Sequence, residues 1–482
     1  MNLDGTPRLA RRRPPTPVGI VHLGPGAFFR AFHAIHTHEA MAAAGGDWGI
    51  AAVSLRSAAA RDRLGPQQGV YTSIGLAPGG REYRVVDSIA EVLVAPESPE
   101  AVLARLVDPR VRVVTLTVTE KGYCHHPASG RLDRAHPDIV HDVAHPHAPR
   151  SAPGFLVEAL ARRRGAGVAP FTVVSCDNLS ANGTLLRRVV VDVATARDAA
   201  LADWIGREAR FPSTMVDRIT PATTEADIER LAAARGYVDL ACVSHEPFRQ
   251  WVVEDDFVGE RPAWERAGAR FVRSVEAHEL MKLRCLNGTH STLAYLGRLA
   301  GHDTVAEAVA DPVFAGLCER LWREEIVPTV PPPEGEDLGA YCAALLERYA
   351  NRAIRHRLGQ IATDGSRKLP PRLLGTVRDN LDAGRLPSGL CLAVAGWMRH
   401  VGGRDERGDA IEVRDPLADR LRALCDASRG SAETVDALLG VDEVFAPELA
   451  RDARFRDALV RAHERLVADG ARACAARYVA GG

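Results

Sequence analysis

Residues 18–23 (VGIVHL) are apolar but for one histidine, the pattern of a short strand buried on both faces. They run into Gly24-Pro25-Gly26, and helical character then continues to about Ala44, where Gly45-Gly46 end it. Residues 50–55 read as a second strand, 111–119 as a third and 171–175 as a fourth. Strand, glycine turn, helix, strand is a βαβ unit, so the N-terminal half is expected to be α/β with a mainly parallel sheet. From about Val275 strand-like runs vanish. Helical stretches follow at 279–299, 304–310, 312–327, 338–350, 418–427 and 447–469, with the proline-rich segment after Pro328 as a loop between helices. The expected organisation is 1–274 as the α/β domain and 275–482 as a mostly α-helical C-terminal domain.

Composition narrows the function. A 482-residue chain of net charge −1 has no global electrostatic attraction to nucleic acid or membranes, and Arg11-Arg12-Arg13 is too short for a nucleic-acid arm. The basic N-terminus lacks the apolar core of a secretory signal, and no run approaches the ~18 apolar residues of a membrane span. Nine scattered cysteines without a C-x-x-C pair point to reduced thiols and a cytoplasmic setting, and away from structural zinc. His125, His126, His136, His141, His145 and His147 lack ligand spacing and read as a solvated loop. Among 61 basic residues only Lys121, Lys282 and Lys368 are lysines. A buried lysine can shed its proton where arginine cannot, and all three fall in segments dense with other unusual residues.

Gly24-x-Gly26 between strand and helix suits a pyrophosphate: the glycines permit a tight turn and close backbone approach, although Phe29 stands where a third glycine is usual. The second strand ends Ser54-Leu55-Arg56-Ser57 without the acid that holds an NAD ribose. Arg56 and Ser57 are possible partners for a 2′-phosphate, so NADP stands beside NAD. The densest chemistry is Met281-Lys282-Leu283-Arg284-Cys285-Leu286-Asn287-Gly288-Thr289-His290-Ser291. On a regular helix Lys282, Asn287 and His290 share a face about 140° wide, with Lys282 and His290 roughly 12 Å apart along the axis. One substrate then demands long side chains or a helix irregularity, for which Gly288 is the candidate. A lysine depressed by burial and by Arg284 or Lys368 can take an alcohol's proton while Asn and His hold the oxygen, work that zinc does in other dehydrogenases.

This segment resembles the K-L-R-x-L-N-G-x-H-S signature of the long-chain mannitol dehydrogenase family. The resemblance continues through Thr117–Tyr123, Ser175-Cys176-Asp177-Asn178 with Asn182-Gly183, Phe211–Pro221, Glu246–Trp251 and Asp364-Gly365-Ser366-Arg367-Lys368. It implies a Rossmann-type domain, a helical C-terminal domain and substrate held between them. It implies Lys282 as general acid/base, with Asn178, Asn287 and His290 orienting the reacting oxygen. Asp217 and Lys368 look like substrate-site residues, and Gly24, Gly26, Ala27, Phe28, Arg30, Arg56 and Glu120 like cofactor contacts. Thr-Glu-Lys121-Gly-Tyr and the stretch ending in Gln360 are similar to the hexuronate (fructuronate) reductase branch, where Lys121 makes sense as a partner of a substrate carboxylate. The expected activity is NAD(P)-dependent interconversion of a hexuronate and its aldonate, by a monomer or small homo-oligomer. A mannitol or arabinitol dehydrogenase is the alternative within the family. A silent nucleotide sensor is the alternative outside it, though a sensor has no use for a proton-transfer lysine.

Overall fold

The computed structural model describes residues 5–126 and 129–481. The chain divides into two compact units, Met1–Glu276 and Ala277–Gly482.

The first unit contains strands β1 (Val18–Leu23), β2 (Gly49–Ser54), β3 (Tyr71–Ala77), β4 (Gly80–Val86), β5 (Ile89–Val94), β6 (Val113–Leu116), β7 (Thr172–Ser175), β8 (Thr214–Asp217), β9 (Val243–His245), β10 (Gln250–Glu254) and β11 (Arg270–Val272). Five form one wholly parallel sheet in the order β5-β2-β1-β6-β7. Alternate side chains feed two apolar layers. Val21, Leu23, Ala51, Val53, Val114, Leu116 and Val173 pack beneath helices Pro99–Val107, Ala152–Gly165 and Asn182–Arg197. Ile20, Ile50, Ala52, Val113 and Val174 face Phe29, Phe32, Trp251 and Trp264 on the other side. A parallel sheet covered on both faces explains why its strands read as unbroken apolar runs.

The expected third strand is therefore the sixth, and it stops at Leu116 instead of continuing to Thr119. Three strands that were not anticipated lie between, and for β4 the reason is physical. β4 (GREYRVV) is mostly exposed and charged, pairing antiparallel with β3 over an Ala77-Pro78-Gly79-Gly80 turn, and shows no apolar run. The expected helix to Ala44 is also broken, at Phe32, into Ala27–Ala31 and His33–Ala44.

In the second unit no strand occurs among the described residues. The single helices expected at 279–299, 312–327 and 447–469 are each interrupted. The first is Glu276–Met281, a π-helical turn Lys282–Gly288, then Thr289–Leu299. The second is Pro312–Leu321 followed by a π-turn at Trp322–Ile326. The third splits at Asp452, whose carboxylate accepts the Arg454 and Phe455 N–H groups and restarts the helix at Ala453. The central helix, Ser388–Val401, is buried on nearly every side, so it has no polar stripe to betray it.

Candidate functional site

In a doubly wound sheet, ligands bind beyond the strand carboxyl ends where strand order reverses. Here that point lies at β1, between β2 and β6. Gly24 has φ +92°, and a Cβ there would stand 2.3 Å from the Thr117 carbonyl oxygen, so only glycine lets the turn close. At Gly26 a Cβ would meet nothing nearer than 3.9 Å, leaving the backbone open to an approaching ligand. Ala27 and Phe28 are half-buried, whereas Phe29 enters the core and stacks on His22 at 3.7 Å, which accounts for an aromatic in place of the third glycine. Arg30 turns inward: its guanidinium donates to the Pro25 carbonyl at 2.9 Å and braces the glycine loop from behind.

Beside this loop, beyond β2 and β5, lies a cavity of about 440 Å³ walled by Leu55, Arg56, Pro96, Pro99, His141 and Arg150. The sequence offered no acid at the end of β2. The fold brings one from elsewhere: Asp138, in helix Pro137–Ala144, pairs with Arg56 at 2.7 Å.

The ends of β6 and β7 are joined by a carboxylate that has no evident role in the sequence alone. Asp177 accepts the Val118 N–H at 3.0 Å, the Thr119 N–H at 2.9 Å and the Tyr123 hydroxyl at 2.9 Å. Burial raises its pKa, against the pull of those three donors. Thr119 is held at φ +63°, strained for a β-branched residue. A Cβ on Gly122 would lie 2.7 Å from the Val118 Cβ, so the turn needs glycine there. Glu120, Lys121 and Asn178 stand exposed on the resulting loops. Asn182, fully buried, donates to the Asp177 and Thr214 carbonyls and accepts the Thr214 N–H, fixing β8 and with it the buried Asp217.

In the helical unit the irregularity expected near Gly288 is real, but its cause differs. Gly288 has ordinary helical angles (φ −62°, ψ −51°); the departure is the whole π-turn from Lys282. Bonding from i to i+5 widens the turn and brings position 287 close to register with 282. Side chains take up carbonyls in the altered ladder. Trp322 Nε1 donates to the Cys285 carbonyl at 2.9 Å and the Tyr349 hydroxyl to that of Leu286 at 3.0 Å. Gly288 serves packing: a Cβ would lie 3.0 Å from the Arg372 carbonyl oxygen, in a second π-turn, Pro370–Leu374. Pro370-Pro371 lack the amide hydrogens of an ordinary ladder, which accounts for that second irregularity.

Lys282 is buried, Asn287 half-buried and His290 buried, so the fold keeps these three on one element. His290 stacks on Tyr349 at 4.6 Å and meets His356 edge-on at 5.0 Å; its Nε2 has no hydrogen-bond partner. Burial, then His356, Arg348 and Arg372, hold it well below the usual imidazole range, hence neutral. Arg284 does not serve as the expected free cation beside Lys282. Its guanidinium is committed to Asp379 at 2.6 Å and the Thr329 carbonyl at 2.8 Å, so its charge is compensated. Lys368 donates to the Ile361 carbonyl and the Thr363 hydroxyl, both at 3.3 Å, with its pKa lowered by burial and then by Arg372. Its helix is anchored where Ser366 donates twice to Asp415, at 2.7 Å each. Gln360 is exposed. Sequence reasoning missed Arg372, His356 and Tyr349; His356 lies in the stretch that ends in Gln360, and the other two come together with it only through folding.

Four histidines of the 125–147 region, His126, His136, His141 and His147, find local carboxylates, such as Glu158 for His147 at 2.8 Å, whereas the buried His125 Nδ1 has no partner. Among the described residues no group of three His, Cys, Asp or Glu side chains is arranged to hold a metal, and no helix is long and apolar enough to cross a membrane. All nine cysteines are free.

Residues 18–266 match the mannitol dehydrogenase Rossmann domain and 274–467 the mannitol dehydrogenase C-terminal domain. The chain is 45% identical to the D-mannonate oxidoreductase of Escherichia coli (strain K12), over 95% of each chain. Among solved structures it is similar to Pseudomonas fluorescens mannitol 2-dehydrogenase in ternary complex with NAD and D-mannitol. That match has TM-score 0.83 and 37% identity, covering 97% of this chain and 95% of the other. It is also similar to a D-sorbitol dehydrogenase in substrate-free form, with TM-score 0.90 and 33% identity over 98% of each chain. Two domain matches in order, spanning most of the chain, place it plainly: this protein belongs to the mannitol dehydrogenase family.

Proposed function

We propose that this chain is an NAD-dependent oxidoreductase interconverting the secondary alcohol of a six-carbon aldonate, of the D-mannonate type, and the corresponding ketone of a hexuronate. The observation that carries the reading is Lys282, buried at the head of a π-turn, with Asn287 one wide turn on and a neutral His290 following. The likeness to D-mannonate oxidoreductase across the chain supports the substrate class.

Bound NAD supplies the hydride acceptor. The open backbone at Gly26, the closed turn at Gly24 and the cavity beyond β2 suit a dinucleotide, with Ala27, Phe28, Arg56 and Glu120 around it and Arg30 bracing the loop. Asp138 neutralises Arg56 and sets negative charge where a 2′-phosphate would sit, which favours NAD over NADP. Lys282 Nζ takes the hydroxyl proton as the hydride leaves and returns it in the reverse direction. Asn178, Asn287 and His290 hold the oxygen; a neutral imidazole can donate from Nε2 without adding a formal charge. Asp217, Gln360 and Lys368 contact the remaining hydroxyls, and Lys121 is a candidate cation for the acid end.

The test is NADH oxidation by the purified protein with D-fructuronate, D-tagaturonate and D-fructose in parallel, with and without EDTA. Preference for a uronate, unchanged by EDTA, is expected. Preference for fructose moves the chain to the mannitol branch. Activity lost with EDTA and restored by zinc overturns the lysine mechanism.

A further inference from the structure

Arg372 stands beside the reaction residues without an anion to answer its charge. It projects from the second π-turn, Pro370–Leu374, whose backbone packs on Gly288 of the first, and its Nη1 donates to the Ser291 hydroxyl at 3.2 Å. Ser291 directly follows His290 and lies four residues beyond Asn287, one turn or about 6 Å along the axis. Residues i and i+4 share a face, so the guanidinium borders the face that carries Asn287 and His290. The spacing is comparable with the length of an extended six-carbon chain. A substrate whose reacting oxygen sits at Asn287 and His290 can therefore bring its far end to the level of Arg372.

The hydrogen bond to Ser291 is the only one that the Arg372 side chain makes among the described residues, and no carboxylate there stands within ion-pair distance of it. Nε and Nη2, side by side on one edge of the guanidinium, have no partner, and the half-buried side chain keeps them open to an approaching group. Two parallel N–H groups on one edge match the two oxygens of a carboxylate. Arg284, on the neighbouring π-turn, shows the opposite case, its guanidinium closed by Asp379 and the Thr329 carbonyl.

The surroundings favour an anion at this point. Arg372 acts on His290, His356 and Lys368 alike, and no carboxylate acts on either histidine. Burial lowers the Arg372 pKa, and only the Tyr295 and Tyr349 hydroxyls oppose it. The acids that act on Lys368 are Asp364 and Asp415, and Asp415 already accepts twice from Ser366. A cation withdrawn from water gains most from a partner that pairs with it directly, and here the protein supplies none.

We propose that Arg372 holds the carboxylate end of the sugar-acid substrate through Nε and Nη2, and so sets the preference for an acid over a neutral ketose. The proposal rests on the sugar-acid reading above and names its specificity residue; Lys121 then takes a smaller part.

The test compares Arg372→Gln and Arg372→Lys with the unaltered protein. KM and kcat are measured for D-fructuronate and D-fructose, and Kd for D-mannonate by calorimetry with saturating NAD. Kd for NADH and the melting temperature report whether the variants are intact. Loss of the charge in Arg372→Gln is expected to raise KM for the uronate and Kd for mannonate at least about tenfold, with kcat within about threefold and KM for fructose and Kd for NADH unchanged. Arg372→Lys keeps the charge and loses the paired donors, so a rise of at least about threefold in the same two constants is expected. An unchanged KM for the uronate, or an equal rise for both substrates, overturns the proposal. If glutamine prevents folding, the lysine variant decides on the same criteria. The unaltered protein tests the reading beneath. If it prefers fructose, the sugar-acid reading fails and takes the proposal with it, whereas a uronate preference that both variants retain overturns the proposal alone.

Discussion

In the first unit, the candidate residues at the ends of β1, β6 and β7 stand on a regular parallel sheet and are fixed from beneath by close backbone packing. In the helical unit, Lys282, Asn287 and His290 stand where helical regularity fails and are fixed by side chains that reach in from other helices. The first arrangement leaves open backbone for a large, flat, charged ligand. The second gathers side chains of different length and chemistry on one short stretch, as proton transfer and oxygen binding require. Binding and chemistry thus make separable demands, and substitutions should separate them.

The largest separation is expected from Lys282→Ala. Loss of the proposed general base should lower kcat by about a thousandfold or more, while the Kd of NADH stays within about twofold. Turnover persisting within tenfold would remove Lys282 from the mechanism. The complementary change is Gly24→Ala. Its Cβ meets the Thr117 carbonyl at 2.3 Å in a backbone with φ +92°, so cofactor Kd should rise at least about tenfold and the first unit should lose stability. Unaltered NADH binding by titration fluorescence would mean the loop is not the cofactor's seat.

Acid acts on both units through buried histidines. His33 and His245 in the first unit are held down to about 3, and His356, His400 and His463 in the second to about 4. Unfolded, each titrates near 6.5. As pH falls below that value the unfolded chain binds protons that the native state refuses. Stability present above 6.5 is therefore lost, by at most about 1.4 kcal/mol per pH unit for each group, until the folded pKa is passed. In both units the loss should continue until the folded pKa values, about 3 to 4, are passed. Hydrogen exchange resolved by unit, from pH 7 to 4, would measure it, and a flat profile to pH 5 would contradict it. The smallest effect concerns cofactor choice. Asp138→Asn should tighten NADP binding about threefold, the scale of an exposed ion pair, and leave NAD unchanged. Equal affinity shifts for both would make Asp138 merely structural.

Much of this contrast was legible in the sequence, for reasons that differ by unit. β1, β2, β6 and β7 announced themselves because burial on both faces enforces apolar runs, and the glycine turn because Gly24, at φ +92° against the Thr117 carbonyl, can be nothing else. β4 hid behind Arg81, Glu82 and Arg84, which an exposed strand tolerates. The K-L-R-x-L-N-G-x-H-S block declared its chemistry but not its geometry. An i, i+3, i+4 pattern looks the same whether or not the turn between is widened, and the agents that hold it, Trp322 and Tyr349, lie 37 and 63 residues away from the carbonyls they bind. Asp177 was visible as a letter in a motif. Its work depends on the ends of two strands meeting, which no local window contains.

The π-turn has one further consequence. A turn that holds one residue too many has an obvious repair: delete a residue between Lys282 and Gly288, and ordinary i to i+4 bonding becomes available again. The helix would gain regularity, and because the widened turn already absorbs the extra residue, the chain after it would keep its place and His290 its contacts with Tyr349 and His356. The Cys285 and Leu286 carbonyls would return to the ladder. Such a shortened chain should retain its helix content while Trp322 and Tyr349, which now donate to those carbonyls, lose their acceptors. The surplus residue is thus what leaves carbonyls in mid-helix open to side chains from neighbouring helices.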